Sequence, residues 1–141
     1  MKWVTWENVG VDRMACAWLI RKYIDTDAEF LFVPYGSLEL PNGAEPFDIP
    51  GARLSHHQGH SSFHAFLQQY KLSDPSLVRI ARIVDEADTV QHVLLEPIAP
   101  GLDAICEGIR TTSPDDQTAL QRGAMVYDAL FAKIVASQQL G

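Results

Sequence analysis

Val11-Asp12-Arg13-Met14-Ala15-Cys16-Ala17-Trp18-Leu19-Ile20-Arg21-Lys22-Tyr23-Ile24 leads through Asp25-Thr26-Asp27-Ala28 into Glu29-Phe30-Leu31-Phe32-Val33-Pro34. In the first part Met14, Trp18 and the run Ile20 to Ile24 surround the axis almost completely with apolar side chains. A helix that is apolar all round is a buried one, so this spacing predicts a central helix over 11–24. Asp25-Thr26-Asp27 ends it, and Glu29 to Pro34 is the clearest strand. Upstream, Lys2-Trp3-Val4-Thr5-Trp6 alternates and is rich in β-formers, which predicts a short strand before the helix.

Downstream, residues 36–51 carry three prolines together with Asn42-Gly43 and Pro50-Gly51. That is turn chemistry, enclosing one short strand near Phe47 to Ile49 and another at Ala52 to His56. Ser61 or Ser62 caps a helix whose apolar face is Phe63, Phe66, Leu67 and Tyr70. Asp74-Pro75 opens the next, with Asp as cap and Pro in the first turn. Its face runs Leu77, Ile80, Ala81 and Val84, and Asp88 is the next position on it. A less regular segment covers 101–109. Ser113-Pro114-Asp115-Asp116 then starts a last helix to about Ala136, burying Leu120, Val126, Tyr127, Leu130, Phe131 and Ile134. The expected fold is α+β, a mainly helical single domain over 1–141 with a small sheet.

The 141 residues suit one domain, and 47% hydrophobic content supplies a core. No apolar run approaches the roughly 20 residues that span a bilayer. No secretory signal pattern opens the chain, so a cytoplasmic location is expected. A net charge of −7, with only four Lys and seven scattered Arg, disfavours nucleic-acid binding by this chain alone. The two cysteines, Cys16 and Cys106, are far apart, and neither a disulfide framework nor a CxxC site is expected. Buried small hydrophobes are the ordinary reading, with a thiolate ligand from Cys16 the alternative. No GxSxG, P-loop, Rossmann glycine pattern or HExxH is present, which leaves nucleotide-dependent and serine-hydrolase chemistry without support.

Four of the five histidines fall in Ser55-His56-His57-Gln58-Gly59-His60-Ser61-Ser62-Phe63-His64. Neutral imidazole is the commonest metal ligand. His56, His60 and His64 are spaced by four, but Gly59 and the Ser61-Ser62 cap argue against one continuous helix. The expectation is that His56 ends a strand, His60 sits in a loop and His64 lies in a first helical turn. Ligands for zinc, iron or manganese would then converge from different elements. His57, adjacent to His56, faces away. The alternative is a polar loop with exposed imidazoles and one capping His.

Asp88 on an otherwise apolar face needs a partner, because an unpaired buried carboxylate is costly. The alternative ends the helix at Ala87 and leaves Asp88 in a polar turn. Asp85 and Glu86 read as solvated, and His92 could join Asp88 or sit in an exposed loop. The expected metal set is therefore His56, His60, His64 and Asp88. Asp12 is a good N-cap for the first helix and, with Arg13, is expected near the metal set as a supporting residue. Arg13 and Arg21 can form a small patch for an oxyanion such as chromate, against the alternative that Arg13 pairs with Asp12 or Asp48. Asp115 and Asp116 fit a plain helix start.

The run Val11 to Arg21, with Ile24-Asp25, Ala28 to Pro34, Phe47-Asp48-Ile49-Pro50-Gly51, Ser55-His56, Ser62-Phe63, Ala81-Arg82-Ile83-Val84, Ala87-Asp88-Thr89 and Pro114-Asp115-Asp116, resembles the chromate-resistance protein family, specifically the C-terminal domain of ChrB-type proteins. The resemblance covers nearly the whole chain. It implies an accessory role in chromate resistance, linked to sensing or regulating an efflux system. Larger family proteins have an additional N-terminal region, so a DNA-binding role does not carry over. Members often have Arg, Cys and an acid where this chain has His60, Ser61 and His64, which leaves His56 and Asp88 as the family positions. Three readings follow: a metal- or oxyanion-responsive domain, a small metalloenzyme acting on chromate or reactive oxygen by-products, and a metal-free interaction domain. A homodimer is compatible with all three.

Overall fold

The computed structural model describes residues 1–89 and 94–140. Strand β1 (Lys2–Trp6) leads into helix α1 (Val11–Leu19), which continues as a π-helical turn over Ile20–Ile24. Strands β2 (Glu29–Val33) and β3 (Ala44–Pro46) follow, then helices α2 (Ser62–Gln69), α3 (Pro75–Asp88), α4 (Ala99–Thr112) and α5 (Asp116–Leu140). The three strands form one parallel sheet in the order β2-β1-β3, with Trp3 opposite Phe30 and Glu45. The architecture is α+β and mainly helical, as the sequence predicts.

α1 is the hub, packed against α2, α3, α4 and α5. Every residue of it except Arg13 is buried, in line with its all-round apolar sequence. Trp18 lies among the rings of Phe63, Tyr127 and Phe131, joining α1 to α2 and α5. Such ring pairs add about 0.5–1.5 kcal/mol each beyond their burial. The Tyr127 hydroxyl donates to the Val11 carbonyl at 2.7 Å, fixing the head of α1 against α5.

Three local expectations change. The third strand lies at Ala44–Pro46 rather than 47–49, because Asp48 adopts φ 52° and turns the chain out of extended geometry. Residues 52–56 form no strand; a single bridge pairs Phe47 with Leu54, and His56 follows in a loop. The segment at 101–109 belongs to a full helix, with Pro100 in its first turn where a missing N–H is harmless. Asp115 accepts the Thr118 N–H at the start of α5, as a plain helix start requires. Asp116 accepts from the Asn8 and Val9 amides and so ties the β1–α1 loop to α5. No helix among the described residues is long and apolar enough to cross a membrane.

Candidate metal centre

The site grows from the N-terminus of α2, whose first amides need acceptors. Ser61 is the N-cap, and its hydroxyl accepts the His64 amide at 3.2 Å. The next two donors go to a side chain from another helix: Asp12 accepts the Ser62 amide at 2.7 Å and the Phe63 amide at 3.0 Å. Asp12 is the second residue of α1 and only 2% exposed. It therefore stands at two helix N-termini at once, where a carboxylate is favoured. It does not cap α1, whose N-cap is Gly10 with no side-chain bond. The expectation of Asp12 as that cap is corrected: its carboxylate serves α2 instead.

Asp48 enters from the turn after β3. The Arg13 Nε meets its Oδ2 at 3.1 Å, and the Arg13 guanidinium also reaches the Asp48 carbonyl at 3.0 Å and the Thr5 hydroxyl at 3.1 Å. Arg13 further lies over the Trp6 and Tyr35 rings. Ser62 donates its hydroxyl to Asp48 Oδ1 at 2.6 Å. Asp48 is thus held at a positive φ, a conformation Asp tolerates better than most residues and one that gathers at functional sites. Asp88, the last residue of α3, completes the group from the third side.

All three carboxylates converge on one atom. His56 Nε2 lies 3.0 Å from Asp12 Oδ2, 3.2 Å from Asp48 Oδ1 and 3.0 Å from Asp88 Oδ2. A single N–H can donate well to one of them only. Those three hydrogen-bonding contacts, Asp12 first, raise the imidazole to about 12, so in the absence of an ion it holds its proton. Burial, then the charge of Asp48, pushes the Asp12 carboxyl up to about 6. Even with Arg13 and a protonated His56 the group stays net negative.

The donor set fits a divalent cation. Asp12, Asp48 and His56 each offer a ligand atom within 4.8 Å of the others, and Asp88 joins the group through its 3.0 Å contact with His56. One imidazole and three carboxylates suit iron or manganese better than a thiol-rich zinc site. His56 is 43% exposed and the Asp88 side chain 28%. Both border a cavity of about 490 Å³ that Trp6, Arg13, Tyr35 and Pro50 also line. Cys16 is not a ligand: it is buried, donates to Asp12 at 3.5 Å, and burial holds its thiol well above the usual range.

The four residues expected in one metal set fall into two groups. His56 and Asp88 meet as described, whereas His60 and His64 lie together with Asp85. His60 follows a two-residue turn, Gln58-Gly59, in which both residues have positive φ and His57 and His60 exchange backbone hydrogen bonds. That turn leads His60 toward Asp85, and the Ser61 cap then starts a new element. His57 points away and bonds the Arg53 carbonyl. The expected Arg13–Arg21 patch does not form. Arg13 is held by Asp48, while Arg21 bonds the Ala28 carbonyl, lies over the Phe30 ring and lines a different cavity. His92 lies outside the described residues.

Two acids escaped the sequence reading of the site. Asp48 stood there only as a partner for Arg13, and Asp85 as a solvated residue. Asp85 is buried, accepting the Ser61 amide and facing the His60 imidazole, both at 2.8 Å. Its place three residues before Asp88, on the same side of α3, was the available signal.

Known proteins match the chain along almost its whole length. The family model described as ChrB, C-terminal domain, matches residues 3–134. Protein ChrB of Cupriavidus metallidurans is 34% identical over 131 residues, covering 92% of this chain and 40% of that protein. The chain thus spans less than half the length of that relative. No solved structure matches it.

Proposed function

We propose a function from the premise that the chain belongs to the ChrB C-terminal domain family: it is a metal-binding accessory domain of chromate resistance that responds to chromate or metal stress. The observation carrying this reading is the convergence of Asp12, Asp48 and Asp88 on His56 Nε2. Three carboxylates around one N–H leave an excess of acceptors that a proton satisfies poorly and a divalent cation satisfies well. Asp12 and Asp48 are fixed by α2 amides, Ser62 and Arg13 before any ion arrives, so the ion meets a largely preorganised set.

Iron or manganese is the expected occupant. Metal analysis by inductively coupled plasma mass spectrometry, on protein purified without a histidine tag, tests this. Wild-type protein retains close to one iron or manganese per chain, and His56→Ala loses it. Metal content unchanged by that substitution rejects the site.

A second reading is favoured by the cavity beside His56 and Asp88. An ion reached from such a cavity can keep a position for substrate or water, as in a small metalloenzyme acting on chromate or on reactive oxygen by-products. Turnover of chromate or superoxide supports it. A response limited to one equivalent favours sensing.

A further inference from the structure

A second group of ligating side chains lies outside the His56 centre. His60 Nδ1 is 2.8 Å from Asp85 Oδ2, and the His60 and His64 rings stack with centroids 4.1 Å apart and planes 18° from parallel. Asp85 is oriented independently, because its other oxygen accepts the Ser61 amide. Neither ring nitrogen of His64 has a hydrogen-bond partner among the described residues. His60, Asp85 and His64 each offer a donor atom within 4.8 Å of the others. Both imidazoles border a small polar cavity of about 120 Å³ that Gln58 and Gln68 also line.

The chemistry of this group differs from that of the first. Two imidazoles and one carboxylate form the donor set of three-ligand zinc sites, in which the fourth position is left to water or substrate. Tetrahedral ligands at ~2.0–2.1 Å from zinc stand ~3.3 Å apart, so the His60–Asp85 contact opens by about half an ångström to admit the ion. The cation takes the place of the proton shared by those two groups, and His64 turns one nitrogen toward it from the first turn of α2.

We propose that His60, His64 and Asp85 form a second, nitrogen-rich site for a zinc-class divalent cation, separate from the oxygen-rich centre at His56. The two sites are built in parallel: His56 and His60 face Asp88 and Asp85, which lie three residues apart on α3. This second site does not depend on the first being occupied.

Zinc chloride alone, titrated into the metal-free full chain, tests the proposal by calorimetry and by NMR of the imidazole nitrogens. The background is His56→Ala, which removes the one imidazole that the described residues bring to the first centre. One equivalent of zinc is expected to shift the His60 and His64 ring resonances there. His60→Ala with His64→Ala is expected to weaken that binding at least tenfold. Ring resonances of His60 and His64 that do not respond to zinc, in wild type and in His56→Ala, overturn the proposal. So does unchanged zinc affinity in the double variant. Should the double variant fail to fold, the resonances of the wild-type and His56→Ala chains decide. Because iron or manganese retention is read separately in wild type, loss of the first site leaves this result interpretable, and the reverse holds.

Discussion

His56, in an exposed loop, and Asp12, buried at the head of α1, meet at 3.0 Å between Nε2 and Oδ2. The contact links two requirements of different kinds. Asp12 is needed by the fold, because it terminates α2 through the Ser62 and Phe63 amides. His56 is not needed by the fold in that way, since about two-fifths of its side chain is in solvent. What it does is draw Asp12, Asp48 and Asp88 to a common point.

The stability of the metal-free chain should fall as pH rises, in two windows. The His56 pKa is raised from 6.5 to about 12, so its contribution is complete below pH 6.5 and is lost as pH climbs toward 12. The Asp12 carboxyl is raised from 3.8 to about 6, so the folded state holds more protons than the unfolded one between those values, and stability declines across that window too. Urea denaturation from pH 4 to pH 9 in the presence of a chelator measures both. In His56→Ala the decline above pH 6.5 should flatten; an unaltered slope there contradicts the assignment.

Asp12 and Asp88 should separate structural from ligand roles. Asp12→Ala strands two buried amides at about 1–3 kcal/mol each, so a loss of about 2–6 kcal/mol is expected along with loss of metal. Asp88→Asn alters a partly exposed group at the end of α3, so its stability change should stay below about 1 kcal/mol. Its manganese affinity should nonetheless fall at least tenfold, since even outer-shell changes cost about 10–100-fold. Chemical denaturation and calorimetry read the two effects. Equal affinity for Asp88→Asn and wild type excludes Asp88 as a ligand.

Gly123 of α5 packs directly against Met14 of α1. A Cβ there would stand 2.8 Å from Met14 Sδ and 3.2 Å from Met14 Cβ, and Met14 is fully buried. An alanine in a helix interior ordinarily gains about 1 kcal/mol over glycine. Here the overpacking cost of about 1–3 kcal/mol should win, and Gly123→Ala should destabilise the chain in urea. A stabilised variant would show that α1 and α5 can separate without loss.

Much of this was readable in the sequence where the signal is local. Of the 11–24 segment expected to be buried all round, Val11–Leu19 became the central helix, whereas in its π-helical continuation only Ile20 is buried and Arg21, Lys22 and Tyr23 are exposed. Asp74-Pro75 caps α3 as expected, the Asp74 carboxylate accepting the Ser76 amide at 2.8 Å. Asp88 could be picked out because an acid interrupts an apolar stripe. Asp12 was expected beside the site, but Asp48 was harder to find, since it reaches His56 through a long-range contact. Nothing near Asp48 in sequence announces a left-handed turn aimed at α2. The even spacing of His56, His60 and His64 suggested one site. The Gln58-Gly59 turn and the Ser61 cap divide it into two, carrying His60 to Asp85 and leaving His56 with Asp88.

Anomalous diffraction from crystals grown with manganese, recorded on both sides of its absorption edge, shows whether a cation binds among His56, Asp12, Asp48 and Asp88. One manganese peak is expected, bonded to His56 Nε2 and to an oxygen each of Asp12, Asp48 and Asp88, at ~2.0–2.2 Å. Absence of a peak among these four residues, with His56 still hydrogen-bonded to the carboxylates, would contradict it.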